Sequence, residues 1–268
     1  MPDWLAIIIL GIIEGITEFL PISSTGHLLL AESTGWIPRQ SDLFNVVIQS
    51  GAVLAVLPLF PERLRQVLAF GRDAKARDFV LKVGLAFAVT AIGGFILEKR
   101  GLKLPENVLP VALALLIGGI LFVLVENWLR GRPTSTEISW AVAGAVGAGQ
   151  LVAAVFPGTS RSGATILIML GFGLSRPAAT EFSFLVGIPT MLAAGGFKIF
   201  KALHHAQSVP GAPAENWALL GLCTLISAVV SFIAVKWLLG FVRTHTFKGF
   251  GWYRIVVGGV LLLFLLRH

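Results

Sequence analysis

The sequence predicts an all-α, polytopic membrane protein: an inverted-topology repeat in which each half is a re-entrant helical hairpin followed by three transmembrane helices. Three observations carry this. Of 268 residues, 56% are hydrophobic and 13% charged, with mean hydropathy +0.85, whereas a soluble domain carries about 25% charge. Apolar runs near the length needed to cross a bilayer recur throughout the chain. Two polar strings, Glu14 to His27 and Pro157 to Gly163, interrupt the apolar sequence at matching places. An ionised side chain at that depth costs at least a few kcal/mol and by default marks a functional site.

In chain order, Trp4 to Leu20 and Ser24 to Glu32 flank the first polar string. The second piece is too short to cross alone, and Pro21 breaks the helix between them, so the pair reads as a re-entrant hairpin. Such a break is tolerated only where protein or a water-filled cavity surrounds it. Val46 to Phe60 is a short span, Pro61 to Asp78 a basic loop, and Phe79 to Leu97 and Val108 to Trp128 are full spans. Ile138 to Phe156 and Ser162 to Leu174 repeat the hairpin around Pro157. Phe182 to Phe200, Trp217 to Leu239 and the shorter Trp252 to Leu266 repeat the three spans.

The chain is therefore read as a single membrane domain, 1–268, with repeats of about 1–130 and 137–268. An offset of 136 sets Gly11 on Gly147, Glu14 on Gln150, Pro21 on Pro157 and Ser24 on Ser160. An offset of 138 sets Phe44 on Phe182 and Leu54 on Leu192.

Loop charge sets the orientation. Arg63, Arg65, Arg72, Lys75 and Arg77 place the 61–78 loop in the cytoplasm. With three spans per half the second half is inverted, and the two hairpin tips meet in mid-membrane. Arg130, Arg132, Arg243 and Lys248 also fall inside; Lys99, Arg100 and Lys103 fall outside and count against the assignment. Met1-Pro-Asp3 lacks the basic start of a signal peptide, so the first segment is kept as mature structure. The net charge of +7 lies in short loops, which fits anionic headgroups rather than nucleic acid. Cys223, the lone cysteine, reads as a small buried hydrophobe. The glycine pairs 93–94, 118–119, 195–196 and 258–259 read as close helix packing. Lys82 and Lys236, near segment ends, read as snorkelling. His204 and His205 are placed in a Pro/Gly-rich loop (Val209 to Pro213) and His245 in a short basic loop, and all three read as solvated.

The chemistry gathers at the two strings. Glu14 and Glu18 lie one turn apart on one helix face, where two carboxylates repel unless a cation or an arginine sits between them. A divalent cation, Mg2+ or Ca2+, bridging them to a phosphate resolves the conflict. Pro21-Ile-Ser-Ser-Thr-Gly-His27 stops one helix and starts another. Ser23, Ser24 and Thr25 are candidate caps, and the new helix N-terminus offers free N–H groups to an anion. Pro157-Gly-Thr159-Ser160-Arg161-Ser162-Gly163 repeats the design and adds Arg161, whose planar fork suits two phosphate oxygens. His27 has the chemistry of a general acid or base. Asn45, Gln49 and Gln150 are candidates to line the same cavity.

The strings Glu14-Gly-x-x-Glu18-Phe-Leu-Pro-x-Ser-Ser-Thr-Gly-His27 and Pro157-Gly-Thr-Ser-Arg-Ser-Gly-Ala-Thr165, with Phe44-x-Val-x-Ile-Gln49-x-Gly-Ala52, resemble the signatures of the undecaprenyl-diphosphate phosphatases, the bacitracin-resistance membrane proteins of bacteria. The resemblance spans essentially the whole chain. It implies hydrolysis of undecaprenyl diphosphate to undecaprenyl phosphate and phosphate, a divalent-cation requirement, and an inner-membrane site open to the outer face. Carried over, it assigns catalysis to Glu18, Ser24, His27 and Arg161, and cation binding to Glu14 and Glu18. Substrate binding goes to Ser23, Thr25, Gly26, Gln49, Gln150, Thr159, Ser160, Arg161 and Ser162. The general base stays open between a glutamate, with Glu18 favoured, and His27; Ser24 either attacks phosphorus or positions a water. The partners expected are the polyprenyl diphosphate lipid and the bilayer, and a homodimer is left open. Two rivals are a lipid transporter, since inverted repeats with broken helices are transporter architecture, and a ligand-free assembly protein.

Overall fold

A computed structural model describes residues 2–33, 35, 37–38, 40–101, 108–208 and 216–267. The chain folds into helices α1 (Asp3–Thr17), α2 (Ser24–Ser33), α3 (Asp42–Val56), α4 (Pro61–Leu68), α5 (Ala74–Lys99), α6 (Val108–Trp128), α7 (Trp140–Val155), α8 (Arg161–Gly171), α9 (Arg176–Ser208), α10 (Trp217–Phe241) and α11 (Lys248–Arg267). No strand occurs among the described residues; an isolated bridge joins Ser135 to Leu174.

Local chemistry sets the helix starts. The side chains of Ser41, Ser139 and Asn216 accept from the backbone N–H three residues on, at 3.0, 3.2 and 3.2 Å. Asp73 accepts from Lys75 and Ala76 N–H, both at 3.1 Å, so α5 begins five residues before the apolar run. Such caps satisfy donors that the first turn leaves free.

Five helices, α5, α6, α9, α10 and α11, are long and apolar enough to span. A sixth span is counted if α3 and α4 are one bent span; they meet at 91° across a 3-10 turn and Pro61. The segment read as a loop, 61–78, therefore contains helix. The surface is apolar where a soluble protein's would be polar: Ile92, Phe95, Leu124, Ile233, Val256 and Leu263 are each more than half exposed. Trp4, Trp128, Trp140, Trp217, Trp237 and Trp252 are also exposed, in keeping with aromatic belts at an interface. This is a multi-pass membrane protein.

The helices flanking the two polar strings pack on helices distant in the chain. The arms α1 and α2 pack on each other, as do α7 and α8, but α1 lies along α10 and α7 lies along α5. Helix α3 packs on α9, and α6 on α11. Close approach at these seams requires glycine: a Cβ on Gly11 would stand 3.1 Å from the Cys223 carbonyl in α10, and one on Gly147 would stand 2.6 Å from the Ala86 carbonyl in α5. Of the glycine pairs, both members of 118–119 pack tightly, but only Gly93, Gly195 and Gly258 of the others do.

Glu126, fully buried in α6, accepts from Arg176 (2.9 Å from Nε, 2.5 Å from Nη2) and from the Phe247 N–H at 2.8 Å. This ties α6, α9 and the start of α11 together. Lys82 departs from the snorkelling expectation: it is buried, 2.5 Å from Asp78 one turn back and over the Trp140 ring. Lys236 is exposed as expected. His204 lies exposed on α9 rather than in a loop, edge-on to Phe200. His245 is exposed and stacked on Phe241. Lys103, the His205 side chain and the 209–213 loop lie outside the described residues.

Candidate active site

The two helix breaks, 18–23 and 156–160, come together. Ser162 Oγ donates to the Leu20 carbonyl at 3.2 Å, and Arg161 Nη2 donates to Glu18 Oε1 at 3.3 Å. Between them lies a cavity of about 180 Å³. Its wall includes Glu18, Ser23, Ser24 and Thr25 from the first break, Pro157, Gly158, Ser160 and Arg161 from the second, and Gln49, Thr90, Gln150 and Thr190 from the spans.

Each short helix starts in the same strained way. Ser23 (φ 76°) and Ser160 (φ 69°) hold left-handed backbone conformations, which are uncommon outside glycine. Ser23 Oγ accepts from Gly26 N–H at 3.2 Å and Ser160 Oγ from Gly163 N–H at 3.1 Å. The caps match at an offset of 137, so Ser23, not Ser24, is the counterpart of Ser160. The 136 offset holds only up to the prolines. The extra residue is Gly158, at φ +92°, where a Cβ would press to 2.7 Å from the Val111 carbonyl. Ser24 therefore matches Arg161 in position, each being the first residue of its helix.

Around Ser24 the groups are fixed by direct contacts. Ser24 Oγ donates to Glu18 Oε2 at 2.6 Å, and both side chains are buried. A hydroxyl this close to a carboxylate has the geometry of an activated nucleophile and its base. Arg161 also donates to the Ser183 carbonyl at 3.4 Å, while its Nε has no partner among the described residues. Thr165 Oγ1 braces this corner at 2.6 Å from Ser183 Oγ. Gly187 leaves the room: a Cβ there would fall 1.9 Å from Arg161 Nη1.

A matched family decides where this architecture belongs. The model of the family described as "Bacitracin resistance protein BacA" matches residues 7–260. This chain belongs to the BacA family. Its relatives include a Rhizobium johnstonii protein named undecaprenyl-diphosphatase, 49% identical over 261 residues, which covers 97% of this chain and 96% of that one. A protein of the same name from Xanthomonas axonopodis pv. citri is 49% identical over 267 residues, covering 99% and 98%.

The other residues singled out in this BacA-family chain divide in two. Gln150 is buried; its Nε2 donates to Thr90 Oγ1 at 2.8 Å, and its Oε1 has no partner among the described residues. Glu14 is wholly buried one turn behind Glu18, and both of its carboxylate oxygens are without a partner among the described residues. These orphaned oxygens are hard donors of the kind Mg2+ and Ca2+ take. No cluster of three or more His, Cys, Asp or Glu occurs among the described residues.

Glu14, His27, Gly26, Thr159, Ser162 and Asn45 are not among the residues that line the cavity. His27 sits behind it, Nδ1 2.7 Å from the Ser23 carbonyl and Nε2 2.6 Å from Tyr253 Oη, with the two rings stacked. Gly26 packs on Val111, and Ser162 bridges the breaks. Thr90, Thr190, Ser183 and Gly187 escape a sequence reading, because hydroxyls and glycines in apolar spans are common. Arg254 does not have that excuse: an arginine inside the last apolar run is itself a signal.

Proposed function

We propose that this chain is an integral membrane phosphatase that hydrolyses undecaprenyl diphosphate to undecaprenyl phosphate and phosphate, returning the lipid carrier to peptidoglycan synthesis and conferring bacitracin resistance. The observation that carries the reading is the Ser24–Glu18–Arg161 constellation, in which one carboxylate holds a hydroxyl at 2.6 Å and a guanidinium at 3.3 Å.

Arg161 and the free N–H groups at the starts of α2 and α8 bind the diphosphate. Glu18 takes the Ser24 proton as Oγ attacks the terminal phosphorus. The anhydride bond breaks, undecaprenyl phosphate leaves, and water then cleaves the Oγ–P bond. Phosphoryl transfer of this kind rests on positioning and charge neutralisation. In this reading His27 acts through Ser23, whose carbonyl it holds, and not as the base. Glu14 with Glu18 would hold a Mg2+ or Ca2+ ion, which supplies charge neutralisation to the phosphates when bound.

The protein is assigned to the bacterial inner membrane with its halves inverted, a reading supported by the packing of α1 on α10 and of α7 on α5. Access is from the outer face. A second cavity of about 300 Å³, lined by Val46, Gly94, Leu97, Glu98, Phe197 and Lys198 among others, shares Ala154 with the first. It leads toward the C-terminal ends of α5 and α9, away from the basic 61–78 segment.

Phosphate release from undecaprenyl diphosphate by purified protein in detergent tests the reading. Turnover is expected, and it should fall to a small, still measurable residual rate in Arg161→Ala and Glu18→Ala. Release that persists undiminished in both variants rejects the site. No release at all favours a transporter, which needs a closed membrane.

A further inference from the structure

Arg254, near the start of α11, is 1% exposed, and no carboxylate pairs with it among the described residues. A buried charge without a counter-charge is costly. Its environment shows what offsets that cost. A guanidinium has five N–H groups in a rigid fork, and here each meets a backbone carbonyl. Nη1 donates to Pro21 and Thr159, both at 3.0 Å; Nη2 donates to Ala114 at 3.0 Å and Gly158 at 3.2 Å; Nε donates to Leu115 at 3.4 Å. Pro21 belongs to the first break, Gly158 and Thr159 to the second, and Ala114 and Leu115 to the span α6 beside them.

The Pro21, Gly158 and Thr159 carbonyls are groups that a broken helix leaves without an intrahelical donor, and non-helical backbone at membrane depth has to be satisfied by the protein or cavity around it. Any neutral donor could satisfy one of them. One planar cation bonded to three at once does more, because it fixes their mutual distances. Pro21 is two residues from the Ser23 cap and three from Ser24; Thr159 and Gly158 directly precede Ser160 and Arg161. The site is built to admit this side chain: for a Cβ on Gly118 the three nearest atoms are Arg254 Nη2, Cζ and Nε, the closest at 2.2 Å. A Cβ on Gly163 would stand 3.0 Å from Nη1.

We propose that Arg254 is a positioning residue, whose guanidinium, bonded to the carbonyls of both helix breaks, sets the separation of Ser24 from Arg161 and so the alignment of nucleophile and phosphate. The inference rests on the phosphatase reading and deepens it. Lysine keeps the charge but has three donors on a single atom, so it cannot span both breaks and α6 together. Arg254→Lys should therefore lose activity although charge is conserved. Gly118→Ala leaves Arg254 in place but pushes its fork off Ala114 and Gly158, and should act in the same way.

The experiment measures kcat and KM for phosphate release from undecaprenyl diphosphate in detergent, with the thermal midpoint of each variant, for wild type, Arg254→Lys, Gly118→Ala, Arg161→Ala and the pairs Arg254→Lys/Arg161→Ala and Gly118→Ala/Arg161→Ala. The expected result is a fall in kcat of about 100-fold for each Arg254 or Gly118 variant, the scale of a 1 Å misplacement. KM, governed by burial of the prenyl tail, should move far less. Combined with Arg161→Ala, neither variant should lower kcat further, because the group being positioned is gone. A purely structural role would reduce the active fraction, and that loss would multiply with Arg161→Ala. Full multiplication in both pairs, or wild-type kcat in Arg254→Lys and Gly118→Ala, overturns the proposal while leaving the phosphatase reading intact. Absence of phosphate release from wild type defeats that reading, and this inference with it.

Discussion

Gly187 offers a sharp perturbation of the phosphate grip, because the change is one methyl group on α9 and leaves every polar residue of the site in place. A Cβ at this position would lie 1.9 Å from Arg161 Nη1, 2.6 Å from Cζ and 3.0 Å from Nη2. Moving Nη1 from 1.9 Å to an ordinary 3.4 Å contact displaces the guanidinium by about 1.5 Å. The Arg161–Glu18 bond already stands at 3.3 Å, near the limit at which such a bond counts. A shift of that size breaks it, or carries Glu18 away from Ser24. One ångström of misplacement is worth about 100-fold in rate, so Gly187→Ala should lose at least about that factor in kcat for phosphate release. Its thermal midpoint should hold, because the atoms it meets are the mobile end of a side chain. Added to Arg161→Ala, which removes the obstruction, Gly187→Ala should cost nothing more. Wild-type turnover by a folded Gly187→Ala protein would refute the reasoning that Arg161 acts from its observed position.

Other expectations follow from the same contacts. Glu18→Gln, which leaves Ser24 without its base and Arg161 without its counter-charge, should reduce kcat by about 100- to 10,000-fold in the same assay. His27→Ala should cost less than Ser24→Ala, and trapping with labelled substrate should find phosphate on Ser24 in the His27 variant; an unlabelled Ser24 there would return His27 to the reaction itself. Chelation with EDTA should lower turnover and added Mg2+ or Ca2+ restore it, whereas in Glu14→Gln the added ion should restore far less. Glu126→Ala should lower stability by about 3 kcal/mol, the scale of breaking a buried pair. It should do so without changing KM, as read by thermal unfolding in detergent beside the kinetics.

Much of this was legible in the sequence because bilayer and polar strings impose opposite demands. A run such as Val108 to Trp128 has one stable solution in lipid, and α6 has those bounds. The breaks at Pro21 and Pro157 were equally visible, because proline and clustered hydroxyls inside apolar sequence permit little else. Two things were hidden. The match between the two caps lies one residue away from the 136 offset, since φ at Ser23 and Ser160 leaves no trace in residue type, and Gly158 adds its residue silently. The partition between cavity wall and support was hidden as well. His27 and Ser162 stand in the same polar strings as Ser24 and Arg161, yet helix rotation points them at Tyr253 and at the Leu20 carbonyl. Linear spacing names the helix, but side-chain direction is settled by packing.

The packing of α1 on α10 also sets a timetable for biosynthesis. The arm α1 is among the first pieces made, but its main neighbour is α10; the bond from Ser231 Oγ to the Gly15 carbonyl spans 216 residues. At about 5–20 residues per second, the first hairpin with its two glutamates waits on the order of ten to forty seconds for that helix to emerge. Arg254 emerges later still, on the last helix. A chain that stalls inside α10 therefore holds both polar strings but lacks the rest of the helix that packs on α1 and the guanidinium that bonds to both breaks.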